Sequence, residues 1–172
     1  YFGDFTVAFE AFKAGELHFR NENNSKNWAT GYDVPAVKDG RMKLEMPANG
    51  SVQGMQGFIF NTRKNKFKDL KLRQAFNHAY DFEWANNTLF YGQYARTSSY
   101  FDNSDLAATG LPSTEELELL TPLKDKLPVS VFTQEYINPE NLDPKDLRQN
   151  LRKAKKLLEE AGWNVKNGKL QN

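Results

Sequence analysis

Residues 143–163 carry the most constraining pattern in the sequence. Asp143 offers a side-chain acceptor to free backbone N–H groups, and Pro144 sits at a first helical position, where a missing N–H costs nothing. Leu147, Leu151, Ala154, Leu158 and Ala161 follow at spacings of three, four and seven, and Gly162 closes the run. The spacing predicts a helix with one apolar stripe, stabilised by burying that stripe.

Similar signals recur upstream. Asp4 or Thr6 caps a helix to about Ala14, with Ala8, Ala11 and Phe12 at helical spacing and Gly15 as its stop. Asp69 precedes a helix bearing Leu72, Ala75, Phe76 and Ala79, and a further helix runs from about Phe82 to Phe90, ended by Gly92. Ser113 and Glu116 form a capping box before Leu117, Leu119 and Leu120, with Pro122 and Pro128 keeping that helix short. Residues 28–32 suit one helical turn.

Strand signals are fewer. Leu17-His18-Phe19 is a short candidate, and Arg20 to Asn27 reads as a polar loop. Arg41 to Met46 alternates, with Met42, Leu44 and Met46 on one side, as a half-buried strand would. Met55 to Phe60 is a second candidate whose Phe58-Ile59-Phe60 suits a strand covered on both faces. Asn167-Gly168, between Val165 and Leu170, signals a two-residue hairpin turn. The pattern as a whole predicts an α/β (mixed α+β) fold. Tyr94 to Thr109 is a long aromatic and polar loop without a clear period, the kind that often carries function.

Composition excludes several classes. With 172 residues, the chain is long enough to bury about 70% of its unfolded surface. Its 23 Lys+Arg balance 22 Asp+Glu, which argues against a nucleic-acid binder. Mean hydropathy is -0.74, and no apolar run approaches the ~20 residues of a membrane-spanning helix. Thirteen Phe, seven Tyr and three Trp are too many aromatics for a disordered chain. The absence of cysteine excludes disulfides, thiol chemistry and Cys-ligated zinc.

Signals for catalysis are weak. His18 and His78 form no metal-ligand pair, and His78 reads as a helix-boundary histidine. Gly54-Met55-Gln56-Gly57 has neither the spacing nor the following helix of a phosphate-binding loop. Neither a metal nor a cofactor is implied. Two alternatives stay open at this level. One is a carboxylate-dependent hydrolase using Glu83, Asp102 and Asp105; the other is an interaction domain using Arg152, Lys153, Lys155 and Lys156 on the last helix.

Several segments resemble one family in the same order along nearly the whole chain. Phe9-Glu10-Ala11-Phe12-Lys13-Ala14-Gly15-Glu16-Leu17 is the first. Phe58-Ile59-Phe60-Asn61-Thr62, Phe67-Lys68-Asp69, Leu72-Arg73-Gln74-Ala75 and Ala79-Tyr80-Asp81 form the most recognisable stretch. Ala154 to Trp163, with Leu157, Leu158, Glu160, Ala161 and Gly162, is the third. These resemble bacterial extracellular solute-binding proteins of the peptide-binding class, family 5. Asn27-Trp28-Ala29-Thr30, Asp81-Phe82-Glu83-Trp84, Leu89-Phe90-Tyr91 and residues 96–101 are most similar to the subgroup serving microcin C and oligopeptide transporters.

The resemblance implies a two-lobed fold that closes on ligand by hinge motion. Residues 1–50 would belong to the first lobe, 51–57 to the crossing, and 58–172 to the first part of the second lobe. It also implies an internal piece of a longer secreted protein, periplasmic or extracellular, opening on Tyr1-Phe2-Gly3-Asp4 with its signal segment elsewhere. The ligand would be an oligopeptide, the partners an ABC permease and its ATPase, and the role binding rather than catalysis. Apolar faces at Phe58, Phe60, Leu72 and Phe76 would be covered by the rest of the parent, and otherwise invite a homodimer or domain swap.

Peptide carriers of this class hold an extended backbone by main-chain hydrogen bonds. Candidate ligand contacts are Met55, Gln56 and Phe58 from the crossing, and Tyr94, Arg96, Ser98 and Tyr100 from the long loop. Arg96 suits a peptide carboxylate; equally, it suits a helix end, with Tyr100-Phe101 pinning the loop. Trp28 and Tyr32 fit either a core or a ligand surface.

Overall fold

The computed structural model describes residues 2–172; Tyr1, counted in the expected first-lobe segment, lies outside the described residues. The chain is a mixture of helices with one small sheet, divided into two compact units. The first comprises Tyr1–Asn49, of which residues 2–49 are described, with Ala85–Tyr94; the second comprises Gly50–Trp84 and Ala95–Asn172.

In the first unit, α1 (Phe5–Lys13) starts at Asp4, whose carboxylate accepts from the Thr6 and Val7 amides at 2.8 and 3.0 Å. It ends at Gly15, where φ is +84°, a conformation open to glycine without strain. There the Glu16 amide donates to Ala11 and the Gly15 amide to Phe12, satisfying two terminal carbonyls. The expected turn near Trp28 is a π-helical turn, Asn27–Gly31, followed by α2 (Pro35–Lys38). Phe9, Ala11 and Tyr32 are buried. Tyr32 receives the edges or faces of Phe9, Phe12 and Trp28 at centroid distances of 5.1, 6.4 and 5.9 Å. Gly31 allows this packing, since a Cβ there would meet Phe9 Cζ at 2.6 Å.

The second unit is built on α3 (Leu70–Ala79), packed against α7 (Pro144–Glu160). Its core is Leu72 and Ala75 from α3 with Ala154 from α7. Phe60, Phe67 and Phe76 add an aromatic cluster, with centroids 5.1–6.4 Å apart. The chain passes from the second unit into the first within α4 (Phe82–Leu89) and returns after Tyr94. Helix α5 (Thr114–Leu120) begins at the expected capping box, and α6 (Ser130–Thr133) is a single turn. Asp143 caps α7 in a second reciprocal box with Asp146. Gly162 ends it, with the Trp163 amide reaching the Leu158 carbonyl at 2.8 Å. The hairpin β1 (Asn164–Lys166) and β2 (Lys169–Gln171) turns on Asn167 and Gly168, both at positive φ.

Four expectations fail. Residues 17–19, 41–46 and 55–60 form no strand. A strand exists only with a hydrogen-bonded neighbour, and the sole sheet among the described residues is the terminal hairpin. Phe58 and Ile59, expected to be covered on both faces, are 90% and 87% exposed. The α7 stripe is narrower than its spacing suggested: Ala154 is buried and Leu147 and Leu158 are half-buried, but Leu151 is exposed. Finally, the chain leaves 14,015 Å² accessible, against roughly 8,600 Å² for a self-contained monomer of this mass. It buries about half its unfolded surface rather than about 70%.

Candidate functional site

Each unit holds a polar cluster that local sequence places. In the first, the segment after α1 returns Glu22 into the aromatic cluster, leaving its side chain 3% exposed. Its Oε2 accepts from Arg20 Nε at 3.1 Å, Tyr32 Oη at 3.1 Å and Asn27 Nδ2 at 3.4 Å; its Oε1 accepts from the Asn24 amide at 3.0 Å. Burial alone would raise this carboxyl. The Asn24 amide, the Arg20 guanidinium and the Tyr32 hydroxyl together hold it below the ordinary value. Burial, and then the anionic partner, push the Tyr32 hydroxyl up. The arrangement is a buried carboxylate that fixes a loop against a core tyrosine.

The second cluster fastens residues 136–141, a segment outside any helix or strand, with side chains instead of a ladder. Arg96 Nη1 donates to the Pro139 carbonyl. Its Nη2 donates to Asn77 Oδ1 at 2.7 Å and to the Asn77 carbonyl, in the last turn of α3, at 3.4 Å. The guanidinium lies over Tyr80 and Phe82, 5.7 and 5.9 Å from their centroids. Asn138 Nδ2 donates to the Thr97 carbonyl at 3.0 Å, while Tyr136 Oη links Asn138 to Asn77. On the far side, the Asn141 amide donates to Glu83 at 3.0 Å, and Asn150 Nδ2 donates to the Glu140 carbonyl and to Asn141 Oδ1, both at 2.9 Å.

Asn150 thereby fixes the state of His78. Its Nδ2 faces two acceptors, so its Oδ1 must accept, and the His78 Nδ1–H donates to it at 3.0 Å. Burial, with Lys153 and Arg96 nearby, holds the His78 pKa down despite that bond. His78 is a neutral boundary histidine between α3 and α7.

The sequence-derived ligand candidates fall into separate groups. The Gln53 amide donates to the Asp102 carbonyl at 2.9 Å and Asn103 Nδ2 donates to the Ser51 carbonyl at 2.9 Å, so the start of the crossing segment lies along the long loop. Met55, Gln56 and Phe58 come directly after it, all exposed. From the loop, Ser98 and Tyr100 are exposed, Ser99 is buried, and its hydroxyl accepts from the Ala108 amide at 2.9 Å. Arg96 is engaged as described. Tyr94 belongs to the first unit, where its ring meets Phe90 at 5.1 Å and its backbone pairs with the Asn86 side chain. Tyr100 and Phe101 are both exposed and do not pin the loop; Arg96, Asn138 and Ser99 do. Of the carboxylates considered for hydrolysis, Glu83 is taken up by the Asn141 amide and Asp105 is exposed. The charged run on α7 is exposed, beside an open groove lined by Pro144, Leu147 and Leu151. Among the described residues no group of three or more potential ligands could hold a metal ion.

The profile of the family described as bacterial extracellular solute-binding proteins, family 5, middle region, matches residues 1–172. The chain belongs to this family. Among its relatives, a probable peptide-binding protein, YejA, of Agrobacterium fabrum is 50% identical over 174 residues. That alignment covers 100% of this chain and 28% of the relative. An uncharacterized YejA of Escherichia coli K12 is 45% identical over 166 residues, covering 96% and 28%. A peptidoglycan-binding protein, YepA, of Agrobacterium fabrum is 35% identical over 178 residues, covering 99% and 29%. The chain thus spans little more than a quarter of the length of these relatives. Sequence reasoning missed the Glu22 cluster and the fastened segment 136–141. The first is built within the polar stretch Arg20 to Asn27 that reads as loop, where only the alternation of Arg20 and Glu22 hints at it; the second joins Arg96 and residues 136–141 to Asn77, Glu83 and Asn150 on three helices far apart in sequence.

Proposed function

We propose that this chain is part of the substrate-binding component of an ABC importer, which takes oligopeptides or peptide-like compounds into an interlobe cleft. The observation that carries the reading is the family 5 match along the whole chain, joined by a half-identical relative named as a probable peptide-binding protein. The parent is a secreted, periplasmic or extracellular binder rather than an enzyme, delivering ligand to a membrane permease and its ATPase. Residues 1–50 form part of the first lobe, 51–57 the crossing, and 58–172 part of the second. The break between compact units at Asn49 and Gly50 supports the first of these boundaries, while Ala85–Tyr94 fall with the first unit.

Ligand contacts are Met55, Gln56 and Phe58 from the crossing, with Ser98 and Tyr100 from the loop region. The exposure of these side chains, and the absence of helix from the crossing, support strand-type capture of a peptide. Apolar surface at Phe58, Ile59 and Phe76 is covered by the remainder of the parent; the chain alone pairs with a copy of itself.

Calorimetric titration of the full-length protein with trialanine, a hexapeptide and a peptidoglycan-derived peptide tests the reading. Saturable binding of at least one supports it. Full-length protein that binds none, or that turns a peptide over with loss of turnover on Asp102→Asn, overturns it.

A further inference from the structure

We infer that Arg96 is a positioning residue: it sets the ligand-facing loop rather than touching ligand itself. This rests on the carrier reading above and assigns a role inside that same site. An arginine that recognises a peptide carboxylate must present two N–H groups in a free fork. Both terminal nitrogens of Arg96 already donate inward, one to the Pro139 carbonyl and the other to Asn77. Its flat face is also occupied, lying over Tyr80 and Phe82. The group is therefore spent on the fold from three sides: the last turn of α3, the start of α4 and the fastened segment 136–141.

That geometry sets the course of the chain beyond Arg96. The Thr97 carbonyl is tied to Asn138, one residue before Pro139, so two successive loop residues are bound to two successive residues of the segment. Ser99 then turns inward and holds the Ala108 amide. With 96, 97 and 99 fixed, Ser98 and Tyr100 are the positions left facing outward, and both are exposed. An irregular loop has no ladder to hold its register, so this clamp supplies it. A lysine cannot reproduce it, because one ammonium lacks the planar fork that spans Pro139 and Asn77.

The test uses full-length protein carrying Arg96→Ala, Arg96→Lys or Asn138→Ala, with hydrogen exchange and titration by trialanine and its C-terminal amide. Arg96→Ala is expected to speed exchange in residues 97–101 and 136–141 about tenfold while leaving α1 unchanged. The Kd rises by the same factor for both peptides, and Arg96→Lys restores only part of the loss. Unchanged exchange overturns the inference. So does an affinity loss confined to the free-acid peptide, which makes Arg96 a ligand contact. If Arg96→Ala does not fold, Asn138→Ala carries the same expectations on the Thr97 tie. If wild-type protein binds neither peptide, the carrier reading fails, and the exchange result still decides whether Arg96 sets the loop.

Discussion

Gly31→Ala is expected to loosen the first unit, and the structure sets the size of the effect. The new Cβ would stand 2.6 Å from Phe9 Cζ and 2.8 Å from Cε1. Carbon atoms rest at about 3.5–4.0 Å, so the ring must retreat by nearly 1 Å. It has little room: Phe9 is 6% exposed, its ring meets Tyr32 at 5.1 Å, and Lys13 Nζ and the Arg20 guanidinium lie 4.6 and 5.1 Å from its centroid. Overpacking of this kind costs about 1–3 kcal/mol. Gly31 has no positive φ, so alanine also restricts the unfolded chain and offsets about 0.4–1 kcal/mol. The net loss is about 1–2 kcal/mol, read as exchange faster by a factor of about 5–30 in residues 5–13 and 27–32 of the full-length protein. A Phe9→Leu background removes the obstructing atoms, so there the same substitution should be close to neutral. An equal effect in both backgrounds, or none in the wild type, would refute the steric argument.

Three further outcomes rest on the polar clusters and one helix cap. Glu22→Gln should destabilise the first unit at pH 7 by about 1–3 kcal/mol, since Arg20 loses its anionic partner. The Glu22 pKa is depressed in the folded state, so its contribution is present above the unfolded carboxylate value and is lost as pH falls through the folded one; the two proteins should converge in acid urea titrations. His78 has the same proton balance: its folded pKa is depressed, so the unfolded chain binds more protons around and below its ordinary value of about 6.5, and the α3–α7 pair weakens as pH falls through that value. His78→Gln should flatten this dependence in exchange measured between pH 7.5 and 5.5, and an unchanged slope would remove His78 as its source. Asp143→Ala should cost about 0.5–2 kcal/mol and fray the first turn of α7, because the side chain serves the Lys145 and Asp146 amides.

What the sequence made legible was local chemistry. Asp4, Asp69, Ser113 with Glu116, and Asp143 with Pro144 each satisfy amides two or three residues away, so their helices begin where the letters say. Asn167-Gly168 closes its hairpin for the same reason. Residues 41–46 and 55–60 have strand-like alternation or apolarity, yet a strand is completed by a neighbour, and these have none among the described residues. Leu151 obeys helical spacing yet is exposed, because spacing fixes the face of a helix but not how far its neighbour covers it. The ties from Arg96 to Pro139 and from His78 to Asn150 join residues 43 and 72 positions apart, a relation no local pattern encodes. Exposed candidates such as Phe58 and Tyr100 stem from the family resemblance and the loop's composition, while the Arg96 clamp on the loop depends on residues distant in sequence.

The most direct measurement is hydrogen exchange of the full-length protein with and without saturating trialanine. If these residues help capture an extended peptide, exchange slows in 53–60 and 97–101 together. Trialanine bound with neither stretch protected would place the ligand elsewhere and contradict the account.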